Sequence, residues 1–152
     1  MNNEQSITII RTFDAPREKV WHAWTDANAW EAWYGQPGVT KPGSAQLDVR
    51  EGGKWKSTTV YDGMEMHFIG SYRVVQAPEK LVLTFEDPTP PAGGPENQDV
   101  EIVTVDFKDL GDNKCEMSFT QSGNLPPEEY QTGLKQGWTG FFDALEAYLS
   151  KV

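Results

Sequence analysis

The chain has 152 residues, enough for one domain with a sizeable core and no need of a second. Hydrophobic residues at 38% and aromatics at 12% exclude a disordered chain, and six Trp is a high count for this length. A net charge of −10, from 13 basic and 23 acidic residues, repels phosphate backbones and anionic lipid, so neither nucleic acid nor a membrane is an expected partner.

Residues 1–6 are polar and lack an apolar signal core, and no apolar run reaches the length of a membrane span. A cytoplasmic protein is expected. Cys115 stands alone, so neither an internal disulfide nor a cysteine metal cluster is predicted.

Residues 7–13 alternate and are β-branched, as a strand would be. Pro16 suits the first position of a short helix carrying Val20, Trp21 and Trp24 on its apolar face. Thr25-Asp26 offers the cap of a second short helix, lined by Trp30, Trp33 and Tyr34 and stopped by Gly35. Residues 36–43, with two Pro and two Gly, read as a loop. From Ser44 the period becomes two. Ala45, Leu47 and Val49 share one face; Trp55, Ser57 and Thr59 share the next strand's face after Gly52-Gly53. Asp62-Gly63 marks a turn into a strand at 67–75, and Leu81, Leu83 and Phe85 define another. Residues 87–97 hold four Pro and two Gly and read as a long irregular loop. Val103, Val105 and Phe107 alternate on a further strand, and Cys115, Met117 and Phe119 on the last.

Residues 128–152 read as one long helix. At 100° per residue, Tyr130, Leu134, Trp138, Phe141, Phe142, Leu145, Tyr148 and Leu149 form a broad apolar flank. Beside it runs a stripe of small residues: Gly133, Gly137, Gly140, Ala144 and Ala147. Each interior Gly costs about 0.5–1 kcal/mol relative to Ala. The stripe therefore serves either close approach of another backbone or space kept open beside the helix. The whole predicts a single α+β domain over 1–152, with its core at about 7–150. Two short helices follow the first strand, and an antiparallel meander, about six or seven strands in all, has its apolar face covered by the C-terminal helix.

Five segments from the first strand to Leu81 carry a resemblance: Phe13-Asp-Ala-Pro16-Arg-Glu-Lys-Val20-Trp21, Trp30-Glu-Ala-Trp33-Tyr34-Gly35, Asp48-Val-Arg50-Glu-Gly52-Gly53-Lys-Trp55, Gly70-Ser-Tyr72 and Pro78-Glu79-Lys80-Leu81. A sixth is Gly137-Trp138-Thr-Gly-Phe141-Phe142-Asp-Ala-Leu145. In this order they resemble the group named after the heat-shock-protein-90 ATPase activator, within the START and birch-pollen-allergen-like (SRPBCC) superfamily. The resemblance spans Ile7 to Leu149. It implies the helix-grip fold, a curved antiparallel sheet of about six or seven strands wrapped around a long C-terminal helix, whose members commonly enclose a hydrophobic cavity between sheet and helix. It transfers architecture better than chemistry.

Groups that carry chemistry are sparse. His22 and His67 are the only histidines and lack partners at metal-ligand spacing; His22 reads as surface or packing, His67 as a group at a cavity mouth. Cys115 reads as a small buried apolar residue. Asp48 and Arg50 suit an ion pair across the sheet, and Gly52-Gly53 lacks the following helix of a phosphate-binding loop. Asp106, Asp109 and Asp112 lack calcium-loop spacing. No catalytic pair, metal or cofactor is predicted.

The inward aromatics point instead to a ligand pocket. Its candidate residues are Trp33, Trp55, Ser57, Thr59, His67, Phe68, Tyr72, Phe85, Val103, Val105, Phe107, Met117, Phe119, Gln121, Gly137, Trp138 and Phe141, with the loops at 36–43 and 87–97 as rim. The leading expectation is a protein, monomer or dimer, that binds a small apolar or aromatic molecule. One alternative, implied by the resemblance, is a co-chaperone-like module with heat-shock protein 90 as partner. Another is a hydrolase- or cyclase-type enzyme using the same cavity, with His67 beside Tyr72 or Glu101.

Overall fold

The computed structural model describes residues 5–35, 38–86, 100–123 and 125–152. Strand β1 (Gln5–Phe13) leads into helices α1 (Arg17–Thr25) and α2 (Ala27–Trp33). Strands β2 (Gln46–Leu47), β3 (Lys54–Tyr61), β4 (Met64–Gln76), β5 (Lys80–Phe85), β6 (Glu101–Gly111) and β7 (Lys114–Gly123) follow. A π-helical turn (Glu129–Gly133) then opens helix α3 (Leu134–Leu149). The strands form one seven-stranded antiparallel sheet in the order β1-β7-β6-β5-β4-β3-β2. β2 to β7 run as a meander, and β1 returns to pair with β7 from Gln5↔Gly123 to Phe13↔Cys115. This is the helix-grip arrangement.

Period-two patterning sets the faces. Trp55, Ser57 and Thr59 on β3, Val103, Val105 and Phe107 on β6, and Cys115, Met117, Phe119 and Gln121 on β7 are all buried. Asp62 and Gly63 both have positive φ, as the twist of a two-residue hairpin requires. A bulge between Tyr72 and Val74 bends β4, where the sheet curls. At Gly70 a Cβ would overlap the Thr84 carbonyl oxygen and the Trp55 indole nitrogen. Only glycine lets the Trp55 N–H reach that carbonyl, at 2.9 Å.

The helices follow the sequence with two adjustments. Pro16 lies one place earlier than expected: its backbone is extended (ψ 152°), so it caps α1 rather than opening it, and its carbonyl accepts from Lys19 N at 3.0 Å. Asp26 caps α2 by accepting from Ala29 N at 3.0 Å. The expected single α-helix at the C-terminus begins instead with a π-wide turn. That turn separates two residues tied to the sheet, Tyr130 by its hydroxyl on Glu101 and Trp138 by its indole on Gln121. The extra residue per turn lets both reach their partners. Further along, Trp138, Phe142, Leu145 and Leu149 bury against the sheet, while Lys135, Gln136, Thr139, Asp143 and Glu146 face water. Arg11 of β1 clips the outer side of α3, 2.7 Å from Asp143 and 3.3 Å from Glu146.

Asp26→Ala should lower stability by about 1 kcal/mol in urea denaturation, the usual worth of an N-cap. Gly70→Ala should cost more, about 2–3 kcal/mol, because a backbone carbonyl must move and a buried indole loses its acceptor.

Candidate functional site

Much of the space between sheet and α3 is filled by tryptophan. Trp24, Trp30 and Trp33 from the short helices interlock edge to face, with ring centroids 5.1–6.0 Å apart. Trp24 stacks 6.2 Å from Trp138, which also packs 4.6 Å from Phe119. Most of these indoles are anchored as well as packed. Trp33 donates to the Ala23 carbonyl at 2.8 Å and Trp30 to Ser57 Oγ at 3.2 Å.

Beyond this packed zone lies a pocket of about 440 Å³, open to solvent on one side. Tyr34, Phe68, Phe85, Leu134, Trp138 and Phe141 wall it, and Gly133 and Gly137 form its edge along the helix. A Cβ built on Gly137 meets nothing within 4 Å, so this glycine borders open space and no backbone presses on it. The small-residue stripe does not act as one surface. Gly140 lies in an outer groove with Lys135, Gln136 and Thr139, Ala144 is buried, and Ala147 is exposed.

Of the residues expected to line a pocket, His67, Phe68, Phe85, Gln121, Gly137, Trp138 and Phe141 do meet here. Trp33, Trp55, Ser57, Thr59, Tyr72, Val103, Val105, Phe107, Met117 and Phe119 are instead buried in the core away from it. They face inward as expected, but the α1 and α2 indoles and α3 occupy the space before them. Tyr34, Leu134 and Glu86 join the lining without having been expected. Tyr34 follows Trp30 by four residues on the same helix flank, and Leu134 precedes Trp138 by the same interval, so both carried a periodic signal. Glu86, just past the end of β5, carried none. The expected rim at 87–97 lies outside the described residues, as do 36 and 37. Lys41, Pro42 and Gly43 line a separate groove shared with Lys56, Thr58 and Glu65.

A buried chain of hydrogen bonds backs the pocket. Trp138 Nε1 donates to Gln121 Oε1 at 2.7 Å, and Gln121 Nε2 donates to Glu101 Oε1 at 2.9 Å. The Tyr130 hydroxyl donates to the same carboxylate oxygen at 2.8 Å and accepts from Leu125 N at 3.0 Å. Gly123 makes room for that carboxylate: a Cβ there would overlap it. Three elements are thus joined through one acidic side chain.

A family model described as activator of Hsp90 ATPase homolog 1-like protein matches residues 14–150. The chain belongs to this family. Solved structures similar to it include an uncharacterized protein from Rhizobium leguminosarum, with a TM-score of 0.78 at 22% identity, covering 98% of this chain and 96% of that one. A protein of unknown function from Staphylococcus aureus gives 0.82 at 18% identity, covering 97% and 94%. An AHSA1-like protein from Aeromonas hydrophila gives 0.74 at 18%, covering 97% and 93%. At these identities the likeness speaks for the fold. No curated protein matches.

Within this Hsp90-activator-homologue chain, the remaining polar groups sort by place. His67 and Glu86 stand at the pocket rim with their side chains engaged elsewhere: His67 Nδ1 with Thr58 Oγ1 at 2.9 Å, Glu86 Oε2 with Thr84 Oγ1 at 2.6 Å. His22 is exposed beside Asp26, and Arg50 forks onto Asp48 within one turn, not across the sheet. A larger groove of about 920 Å³ lies around Asp14, Lys19, Asp112 and Glu146, but its charged lining lacks the aromatic walls of the smaller pocket. Among the described residues no three His, Cys, Asp or Glu gather as a metal would need, and no helix is long and apolar enough to cross a membrane.

Burial pushes the Cys115 thiol up to about 11 and raises the Tyr34 and Tyr72 phenols above their usual range, with Asp48 adding to the effect at Tyr72. The folded state therefore keeps these protons where the unfolded chain releases them. Stability should fall as pH rises past the ordinary phenol range near 10, read by denaturant melts from pH 8 to 11. Gln121→Leu should lose about 2–4 kcal/mol in the same assay at pH 7, since it strips partners from a buried carboxylate and a buried indole.

Proposed function

We propose that this protein binds a small, mainly aromatic molecule in the pocket bounded by Phe68, Phe85, Trp138 and Phe141. The observation that carries the reading is Gly137: an interior helix glycine whose Cβ position is empty, at the edge of a cavity of about 440 Å³ walled by aromatic rings. Alanine there would strengthen the helix, and no neighbouring backbone demands glycine. A volume in the range of small-molecule pockets, with few polar groups among apolar walls, supports the same reading.

The test separates space from packing. Gly137→Ala should raise stability by about 0.5–1 kcal/mol, as relief of a helix glycine does. Gly137→Leu should stay folded and lose binding of neutral aromatic compounds, measured by Trp fluorescence and by thermal shift. In the wild-type protein a compound at 100 times its dissociation constant should add about 2.7 kcal/mol. Unfolding of Gly137→Leu with binding retained by Gly137→Ala would mean that the glycine serves packing.

A second reading, association with heat-shock protein 90, is supported by the family's description and by one surface. Tyr61, Met64 and Met66 share a face at the β3–β4 hairpin and are 70%, 70% and 51% exposed, a concentration of apolar surface that a partner would cover. Pull-down with the cognate chaperone should then fail for Met64→Lys and Met66→Lys together. No association of the wild-type chain at micromolar concentration removes this reading.

A further inference from the structure

Tyr34 is held at every point except its hydroxyl. It ends α2, its backbone N–H bonds to the Trp30 carbonyl at 2.8 Å, and its own carbonyl accepts from the buried Thr40 hydroxyl at 2.6 Å. Its ring stacks on Trp30 at 4.4 Å and 15° and meets Phe141 at 5.3 Å and Phe68 edge-on at 5.7 Å. The residue is only 3% exposed, yet its phenolic oxygen has no hydrogen-bond partner among the described residues. That oxygen belongs to a residue lining the pocket. Among the described residues the fully buried side-chain polar atoms without a partner are Arg17 Nε and Trp24 Nε1; the Tyr34 oxygen is not one of them, so it keeps contact with solvent and its bond falls to water or to a ligand.

The other polar groups of the pocket are engaged. Gln121 is bonded at both ends of its amide, to Trp138 and to Glu101, and the side chains of His67 and Glu86 are bound to Thr58 and Thr84. His67 Nε2 and Glu86 Oε1 remain at the rim, while the aromatic wall itself presents flat apolar surfaces and one hydroxyl without a protein partner.

Resting on the pocket reading above, we infer that Tyr34 is the specificity-determining group of the site and that its ligand is a neutral aromatic compound bearing a carbonyl acceptor. The ring system lies among Phe68, Phe85, Trp138 and Phe141, and the carbonyl takes the Tyr34 O–H. A phenol is protonated at neutral pH and burial raises it further, so it presents a donor throughout the physiological range. A carboxylate is disfavoured, because the apolar walls cannot solvate it and the chain carries a net charge of −10. A fixed ring with an unbonded hydroxyl is a preorganised donor, whose bond is made without ordering a side chain.

Three probes test the assignment: 2-acetylnaphthalene, its isostere 2-isopropenylnaphthalene in which CH₂ replaces the carbonyl oxygen, and 2-naphthoate. The wild-type protein should bind the ketone about three- to tenfold more tightly than the alkene, the worth of one neutral hydrogen bond, and the carboxylate most weakly. Tyr34→Phe should erase the ketone's advantage and leave alkene binding unchanged. Its melting temperature should match that of the wild type, since the substitution removes no bond within the protein; a structural role for the hydroxyl would lower it instead. Equal binding of ketone and alkene by the wild type, or an unchanged ketone preference in Tyr34→Phe, overturns the role of Tyr34 while leaving the pocket standing. Failure of all three probes to bind overturns the pocket reading and this inference with it.

Discussion

The indole of Trp138 determines where helix α3 sits on the sheet. Its N–H meets Gln121 Oε1 at 2.7 Å, while its ring packs against Phe119, Phe142, Phe85 and Phe141 at centroid distances of 4.6, 5.6, 5.8 and 5.4 Å. A buried bond of this kind resists sliding of the helix, because any displacement leaves an amide oxygen and an indole hydrogen without partners. Gln121 passes the constraint to Glu101 and so to Tyr130, which secures the start of the helix through its π-wide turn. With both ends of this stretch fixed, Gly133 and Gly137 between them are held at the pocket's edge. The opening beside Gly137 follows from how the helix is held as much as from the missing side chain.

Aromatic residues in this chain divide between filling space and bounding it. Trp24, Trp30 and Trp33 close the interior at one end by mutual edge-to-face contact, with Phe119 tilted against Trp24. Phe68 and Phe141 remain partly exposed at the other, facing the opening. Tyr34 stands at the boundary, stacked on Trp30 of the packed cluster and lining the pocket. Gly137 runs against maximal stability by weakening a helix, and in the same pocket wall the Tyr34 hydroxyl makes no bond within the described residues. A local departure from stability of this kind is what a functional site tends to show.

The strands and turns were legible because their signals are local. Alternation at 103, 105 and 107 and at 115, 117 and 119 assigned faces correctly, and the pair Thr25-Asp26 announced a cap that Asp26 supplies. The ordered motifs brought the architecture within reach before any coordinates. The pocket was only half legible, since alternation says which side chains point inward but not which of them another element will cover. Trp55 and Phe85 lie on inward faces of neighbouring parts of the sheet; one is sealed beneath Trp30, and the other reaches the opening. Angular position on a helical wheel likewise placed Gly140 beside Gly137, yet the two border different surfaces. Glu101, Gln121, Tyr130 and Trp138 come from three elements with no shared local signal, and their network appears only when the chain is folded.

Six tryptophans make the central claim directly observable, each giving one indole N–H resonance. In a titration of the ¹⁵N-labelled protein with 2-acetylnaphthalene, the largest indole shift is expected at Trp138, which lines the pocket, with Trp21 unmoved. A stationary Trp138 while other indoles respond, or no response from any of them at saturating compound, would contradict it.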